Sequence, residues 1–528
     1  MTPLSGAERI HARRWYTLAV LCVSLLVIVL DNTIVNVALP TLVRDLGTSI
    51  TDLQWVVDAY TLVFAGLLLT MGSLGDRFGR QGALQSGLLI FGAASAAAAF
   101  AGGVAPLIAA RAVMGIGAAL IMPATLSILI NVFTDARERA VAIGLWSAVA
   151  GLAVALGPVS GGFLLEHFWW GSVFLVNVPI VLGAMVAGKF LVPTSRNPEH
   201  PPIDWMGAVL SIVGLGALVA SIIEAPTNGW TSPVILAGFA VAVVGIFGFV
   251  LWELHAKEPM LDVRFFRNAR FTSATLTISI TFFALMGFIF LATQYLQFVL
   301  GYSAFQAGLR TLPFAAAMMV AAPLSSKAVE WLGTKRVVVV GMLLFASGLV
   351  VAASITVTSG YPRVGVAMIL MGIGMGFTMP PATESIMGSL PTTHAGVGSA
   401  VNDTSREIGG ALGVAVLGSM LTSLYTTQLN AKLPAGVPSQ VREAADSSVG
   451  AALEVSKRLG AIGAPLAGFA REAFVYAMVR GALVTAGVAV VGALLAWRFL
   501  PARAQDVEDV GDLDLTAELA DGVELAEI

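Results

Sequence analysis

Cysteine is almost missing from the sequence. Cys22 is the only one in 528 residues, which excludes an intrachain disulfide and any cysteine-rich metal site. Charge is scarce as well: Asp, Glu, Lys and Arg make up 12% of the chain, against about 25% in a soluble domain. The signatures of several enzyme classes are also absent. There is no HExxH zinc motif, nucleophile elbow or nucleotide-binding loop, which argues against a membrane enzyme of those types and, without a Walker motif, against direct drive by ATP. Nor does anything in the chain point to nucleic acid as a partner.

What fills the chain instead is apolar: 57% of residues are hydrophobic, and the 56 glycines lie mostly inside the hydrophobic runs. Small residues there let helix backbones approach closely in a bilayer. Fourteen apolar segments can be read: 16–39, 53–73, 82–102, 105–130, 140–165, 171–193, 205–224, 232–253, 271–298, 306–329, 336–358, 363–388, 397–424 and 474–499. Each is near or above the roughly 20 residues that a spanning helix needs. Arg9, Arg13 and Arg14 precede the first run, which is too long for a signal peptide and is expected to be a retained helix.

Charge then predicts orientation. If the N-terminus is cytoplasmic, 18 of the 29 Lys and Arg fall in or beside cytoplasmic segments, whereas the short loops on the other side hold only Arg44 and Arg363. This is a positive-inside bias, and an even number of spans puts both termini in the cytoplasm. Two connections are longer than the rest: a Pro-rich loop near 194–204 and a mixed-charge stretch, 425–472. The acidic tail is expected to be disordered.

Against this background ionisable residues within the runs stand out. Asp31 lies in LDNTIVNVALP (Leu30 to Pro40), inside the first segment. An acid at that depth costs roughly 2.5–3.5 kcal/mol on insertion scales. Either it reaches interfacial water at a helix end, or it lines a polar cavity and changes protonation there. Arg111, in RAVMGIGAA within the fourth segment, either snorkels or needs a buried partner, and Asp31 is the candidate. In the thirteenth segment Asp403 and Glu407 share one helix face with Arg406 beside them. They form either a solvated salt bridge near the helix end or a buried acid pair that titrates as a unit. Glu384 carries the same ambiguity.

The turn GSLGDRFGRQG (Gly72 to Gly82) combines Gly72, Gly79, Asp76, Arg77 and Arg80. It is either an ordinary basic turn or a conformational latch in which Asp76 pairs with an arginine or caps a helix. Aligning Gly79 with Gly333 puts Asp76 opposite Glu330, eight segments later. That spacing suggests two six-helix halves with two helices inserted between them, an arrangement used by transporters that rock around a central site. GLAVALGPVSGG (Gly151 to Gly162) holds Gly157 and Pro158 and reads as a packing interface that can hinge or seal. Trp55, Tyr60, Phe64, Trp146, Phe288, Tyr295 and Phe377 are candidate pocket aromatics; each competes with an ordinary packing role, and ring faces attract organic cations when desolvated.

LDNTIVNVALP, GSLGDRFGRQG, RAVMGIGAA and GLAVALGPVSGG, with FLVNVP, EPMLDVRFFRN, GYSAFQAGLRTLP and AVNDTSREIGGALG further on, together resemble the major facilitator superfamily in its fourteen-helix drug/proton antiporter family. The likeness covers roughly residues 15–500. It implies an all-α polytopic membrane protein of 6+2+6 helices: an N-terminal bundle at 1–193, two inserted helices with linkers at 194–270, a C-terminal bundle at 271–500 and the acidic tail at 501–528. It also implies proton coupling through Asp31 and Arg111, a second-helix acid at Asp58, and an acidic thirteenth-helix region at Asp403 and Glu407. Taken with the reading of the residues themselves, Asp31, Arg111, Asp403 and Glu407 are expected to couple protons, and Asp58, Trp55, Tyr60, Phe64, Trp146 and Tyr295 to bind substrate. Gating would rest on Gly72, Asp76, Arg77, Gly79, Arg80, Gly157 and Pro158. The tenth segment, with LPFAAAMMVAAP, lacks an acid found in some cation exporters of the family.

The expectation is therefore a secondary transporter of the cell membrane, not an enzyme. It would work as a monomer without metal or cofactor, exchanging protons for a hydrophobic, cationic drug or antibiotic. The competing readings are export of an endogenous lipid or metabolite, and a lipid-modifying membrane enzyme.

Overall fold

The computed structural model describes residues 6–46, 50–195, 204–257, 259–434 and 437–502. Most of the expected acidic tail (503–528) and of the Pro-rich loop (196–203) lies outside the described residues. Among the described residues the chain is helical throughout, without strands. The first part comprises α1 (Gly6–Leu46), α2 (Ile50–Phe78), α3 (Arg80–Ala99), α4 (Val104–Val132), α5 (Ala136–His167), α6 (Ser172–Leu175) and α7 (Asn177–Leu191). Then come α8 (Trp205–Asn228) and α9 (Pro233–His255). The last part comprises α10 (Ala269–Gln294), α11 (Ala304–Leu332), α12 (Thr334–Ala353), α13 (Tyr361–Met387), α14 (Ala395–Lys432), α15 (Ser439–Ser447), α16 (Val449–Arg458) and α17 (Ala464–Phe499).

Fourteen helical stretches are long and apolar enough to cross a bilayer, with α6 and α7 forming one of them. The protein is an all-α, multi-pass membrane protein. The 425–472 stretch is more ordered than its composition implies: α14 continues to Lys432, and α15 and α16 fold into the connection. Tyr425 holds them in place, donating its hydroxyl to the carbonyl of Ala445 at 3.0 Å.

Local chemistry sets the boundaries. Asp135, Ser232 and Ser303 cap α5, α9 and α11 by accepting N–H groups of the first turn, and Ser303 with Gln306 completes a capping box. At the sharp reversals α2–α3 and α11–α12 stand Gly79 (φ +115°) and Gly333 (φ +81°), in backbone conformations that side chains disfavour. The two glycines aligned in the sequence thus occupy equivalent turns at the same end of the bundle. That end also gathers Arg13, Arg14, Arg77 and Arg137 and is called the basic end below.

Within the first part α1 packs on α5, and α4 on α2 and α3; within the last part α10 packs on α14, and α13 on α11 and α12. The α5–α11, α2–α14 and α4–α14 contacts form a seam between the two parts. The pair α8–α9 is peripheral: it leans on α2 and α14 through α8. Val234, Val243, Val244 and Phe247 of α9 are exposed, as expected of side chains solvated by lipid. Backbones touch where glycines face one another. A Cβ on Gly117 would lie 2.7 Å from the Phe91 nitrogen of α3, which is the small-residue contact that holds membrane helices together.

Candidate functional site

Three groups of polar residues occupy the seam and its surroundings. The first is wholly buried. Asp31 of α1 and Arg111 of α4 have no exposed side-chain surface, and Nη1 of Arg111 donates to Oδ2 of Asp31 at 2.5 Å. Asn177 of α7 donates to the other carboxylate oxygen at 2.8 Å and to Ser95 Oγ at 3.1 Å; Ser95 in turn donates to the carbonyl of Phe174. Nε of Arg111 donates to the carbonyl of Val56 at 3.0 Å, and the guanidinium carbon lies 4.3 Å from the Tyr60 ring centroid. Phe64 stacks on Tyr60 at 5.8 Å. Each charge is thus held by the other plus neutral donors or acceptors, the condition under which a buried pair persists. The sequence named the pair. Asn177 falls within the motif FLVNVP but carries no role in the sequence reading, and Ser95 is not singled out there; an asparagine inside an apolar run was an available signal.

The second group lies on α14. Asp403 and Arg406 are buried with Oδ1 and Nη1 3.6 Å apart. Asn402 donates to Asp403 Oδ1 at 3.1 Å, and Thr383 of α13 accepts from Arg406. The guanidinium carbon of Arg406 lies 4.9 Å from the centroid of Trp146, which belongs to α5 of the first part. This cation–π contact crosses the seam. Glu407 is half-buried and accepts no hydrogen bond among the described residues, while Tyr60 is within electrostatic reach of both Asp31 and Glu407. The Tyr60 hydroxyl, Trp146 Nε1, Arg111 Nη2, Asp403 Oδ2 and Arg406 Nε are buried without a protein hydrogen-bond partner. Such atoms are uncommon in interiors and are available to hold an ordered water or a ligand.

The third group closes the basic end. Asp76 accepts Arg80 Nε at 2.8 Å and the backbone N–H groups of Gly396 and Val397 at 2.9 and 3.2 Å, so it caps α14 from the opposite part of the molecule. A carboxylate there complements the positive end of the helix. Arg80 Nη2 donates to the carbonyl of Thr392 at 2.8 Å. In the matching position of the second part, Glu330 of α11 accepts two hydrogen bonds from Arg137 in the first turn of α5, at 2.6 and 2.9 Å. Arg139 of α5 donates to Glu384 of α13 at 2.8 Å. Glu384 is therefore not solvated at a helix end but paired across the seam. The Arg77 guanidinium lies 5.3 Å from the Phe78 ring centroid.

Two glycines set the approach of the helices. A Cβ on Gly72 would lie 2.6 Å from the Gly396 oxygen of α14; one on Gly157 would collide with the Thr33 hydroxyl of α1. Pro158 packs against Gly308 of α11, so α5 is held on both sides.

Three expected substrate contacts are not assembled with the rest. Asp58 is half-buried within electrostatic reach of Glu224 on α8, and Trp55 is 43% exposed. The reason is helical phase: residues two apart point roughly 200° away from each other, so Tyr60 reaches Arg111 while Asp58 turns to the inserted pair. Tyr295 is buried at the far end of α10, donating its hydroxyl to the carbonyls of Thr356 and Ser359 at 3.2 and 2.9 Å. It ties α10 to the α12–α13 connection. No cluster of three or more His, Cys, Asp or Glu suited to a metal occurs among the described residues.

Comparison with known proteins agrees with this architecture. The profile of the Major Facilitator Superfamily matches residues 21–414. The chain is 39% identical to the multidrug efflux pump LfrA of Mycolicibacterium smegmatis, covering 92% of this chain and 97% of that protein. It is 35% identical to the methyl viologen resistance protein SmvA of Salmonella typhimurium, over 88% of this chain and 94% of that one. The solved proton:xylose symporter XylE superposes with a TM-score of 0.62 at 14% identity, covering 95% of this chain and 99% of its own. That likeness speaks to the fold alone.

Proposed function

The chain belongs to the Major Facilitator Superfamily, and from that premise we propose that it is a proton-coupled antiporter that exports amphipathic organic cations by alternating access. Its family and its efflux-pump relatives make it a membrane transporter and not an enzyme. The observation that carries the finer reading is the solvent-free Asp31–Arg111 pair. A proton arriving at Asp31 cancels the charge that holds Arg111. The guanidinium must then find other partners, and those next to it are the Val56 carbonyl and the Tyr60 ring. Tyr60 is within electrostatic reach of both this pair and Glu407, so a change at Asp31 is felt at the seam without a proton crossing it.

Glu407 is the carboxylate best placed to receive a cationic substrate, because it is half-buried within electrostatic reach of Tyr60 and has no hydrogen-bonded partner among the described residues. Tyr60 and Trp146 supply ring faces for the same cation, an attraction worth about 2 kcal/mol when desolvated. Asp403 and Arg406 set the local field. The relative named for resistance to methyl viologen, an organic cation, supports this substrate class.

In this reading the basic end is cytoplasmic, both termini lie there, and the closed contacts of Asp76, Arg80, Arg137 and Arg139 belong to the state sealed toward the cytoplasm. The seam lies within one chain, so the monomer is the working unit, and no cofactor is needed. A membrane potential of 100 mV contributes about 2.3 kcal/mol per net charge moved, in addition to any pH gradient. The test is transport of cationic, neutral and anionic compounds by proteoliposomes, with and without an imposed proton gradient. Gradient-dependent export confined to cations supports the proposal; transport of neutral lipids alone contradicts it.

A further inference from the structure

Away from the seam, the peripheral pair α8–α9, the turn Val263–Arg267, α10 and α14 enclose a cavity of about 600 Å³, within the range of small-molecule sites. The transport reading does not use it. Its walls are apolar, with Leu69, Leu215, Ile246, Phe249 and Ile408 among them, and Arg264 and Arg267 line its mouth at the basic end. Both arginines are exposed, and neither side chain makes a hydrogen bond or ion pair among the described residues. Near the mouth Asp262 accepts the Arg264 N–H, Glu253 Oε2 accepts the Leu261 N–H, and Asp204 Oδ1 accepts Trp252 Nε1 and the Gly207 N–H, while Glu253 Oε1 and Asp204 Oδ2 have no hydrogen-bond partner among the described residues; none of these acids pairs with the Arg264 or Arg267 side chains. Arg270, behind them, donates to the carbonyl of Gly388. Lys257 adds a further positive charge just before the turn.

Among the described residues, one hydroxyl lining the cavity is both buried and without a hydrogen-bond partner. Thr404 of α14 is 8% exposed, lines the cavity, and has an Oγ1 without a partner. The cavity also runs inward along α10 as far as Ser279, ten residues past Ala269, or about 15 Å of helix. That is half the hydrocarbon thickness of a bilayer. An apolar slot of this depth, opening at the headgroup level beside two unpaired guanidinium groups, matches one class of molecule. We propose that it is a binding site for a phospholipid with a net-negative headgroup, drawn from the leaflet at the basic end. The phosphate sits on Arg264 and Arg267, an acyl chain fills the slot, and the Thr404 hydroxyl donates to an ester carbonyl. A cationic substrate is disfavoured at this mouth by the same charges. Thr404 adjoins Asp403 in sequence, so the lipid packs on the back of the helix that carries the second charge group.

The site stands independently of the transport reading, and its test does not measure transport. Purified full-length protein is delipidated, titrated with phosphatidylglycerol or phosphatidylcholine, and examined by native mass spectrometry for a single retained lipid. The proposal predicts a preference of roughly 30-fold for phosphatidylglycerol, from two basic residues near the headgroup. In R264Q/R267Q the two lipids are retained within about twofold of each other. Ser279→Phe, which fills the slot and leaves the arginines, lowers retention of both lipids. Equal retention by the unaltered protein, a preference that survives R264Q/R267Q, or full retention in Ser279→Phe overturns the proposal. Displacement of the lipid one-for-one by an organic cation also overturns it, by making the cavity a substrate site.

Discussion

Arg139 of α5 donates to Glu384 of α13 at 2.8 Å with 9% and 15% of their side chains exposed, so one nearly buried ion pair bridges the two parts of the molecule at the basic end. Its neighbour Arg137–Glu330 makes a tighter contact but is 74% and 34% exposed. Exposed pairs contribute about 0–1 kcal/mol, whereas removing one partner of a buried pair costs about 3–5 kcal/mol. The latch is therefore expected to depend on Arg139–Glu384 more than on Arg137–Glu330.

Glu384→Gln should open the basic end and Arg137→Gln should leave it largely closed. The measurement is thiol labelling of single cysteines placed beside Thr392 in a C22S background, which the chain's one native cysteine makes simple to prepare. Labelling should rise several-fold in Glu384→Gln, and the exchange R139E/E384R should restore much of the protection. Equal labelling of all variants would count against the latch.

Gly72→Val should trap the protein away from this closed state. Its side chain would meet backbone of α14, since a Cβ already lies 2.6 Å from the Gly396 oxygen, and backbone yields less readily than a side chain. The variant is expected at near-normal levels in the membrane with transport reduced at least about tenfold, roughly 1.4 kcal/mol. Normal transport would mean that α2 and α14 need not approach this closely.

Trp146→Ala removes the ring under Arg406, whereas Trp146→Phe keeps a ring there. With a desolvated cation–π contact worth about 2 kcal/mol, the alanine variant should lower thermal stability and raise the half-saturating concentration of a cationic substrate by about tenfold or more. The phenylalanine variant should lie between. Matching values for the two would show that ring electrostatics are not in use.

Much of this arrangement was legible in the sequence because bilayers punish charge. Asp31 and Arg111 stood out against apolar surroundings, and each needed a partner. The Gly79 and Gly333 turns were visible because a tight reversal restricts residue choice. Sequence reading failed where direction mattered. Asp58 and Tyr60 are two residues apart and were grouped together, yet helical phase sends one to α8 and the other to the buried pair. In the sequence Arg139 is one of the 18 basic residues of the favoured side and nothing more, since nothing local shows that Glu384, 245 positions later, faces it. The order within 425–472 was also missed, because α15 and α16 are short and carry mixed charge.

Asn177→Ala should weaken coupling without abolishing it. The substitution leaves Asp31 Oδ1 without its donor, a loss of about 1–3 kcal/mol for a buried acceptor. Thermal stability should fall, and proton-driven transport should slow more than substrate exchange measured without a gradient. Equal slowing of both would place Asn177 outside the coupling step.

The most direct test of the account is Asp31→Asn in proteoliposomes, assayed in two ways on one preparation. Substrate counterflow without a pH gradient shows that the variant folds, binds and alternates. Uptake into inside-out vesicles under an imposed pH gradient shows whether protons drive it. The account predicts that counterflow persists while gradient-driven accumulation is lost. Full gradient-driven accumulation by Asp31→Asn would contradict it.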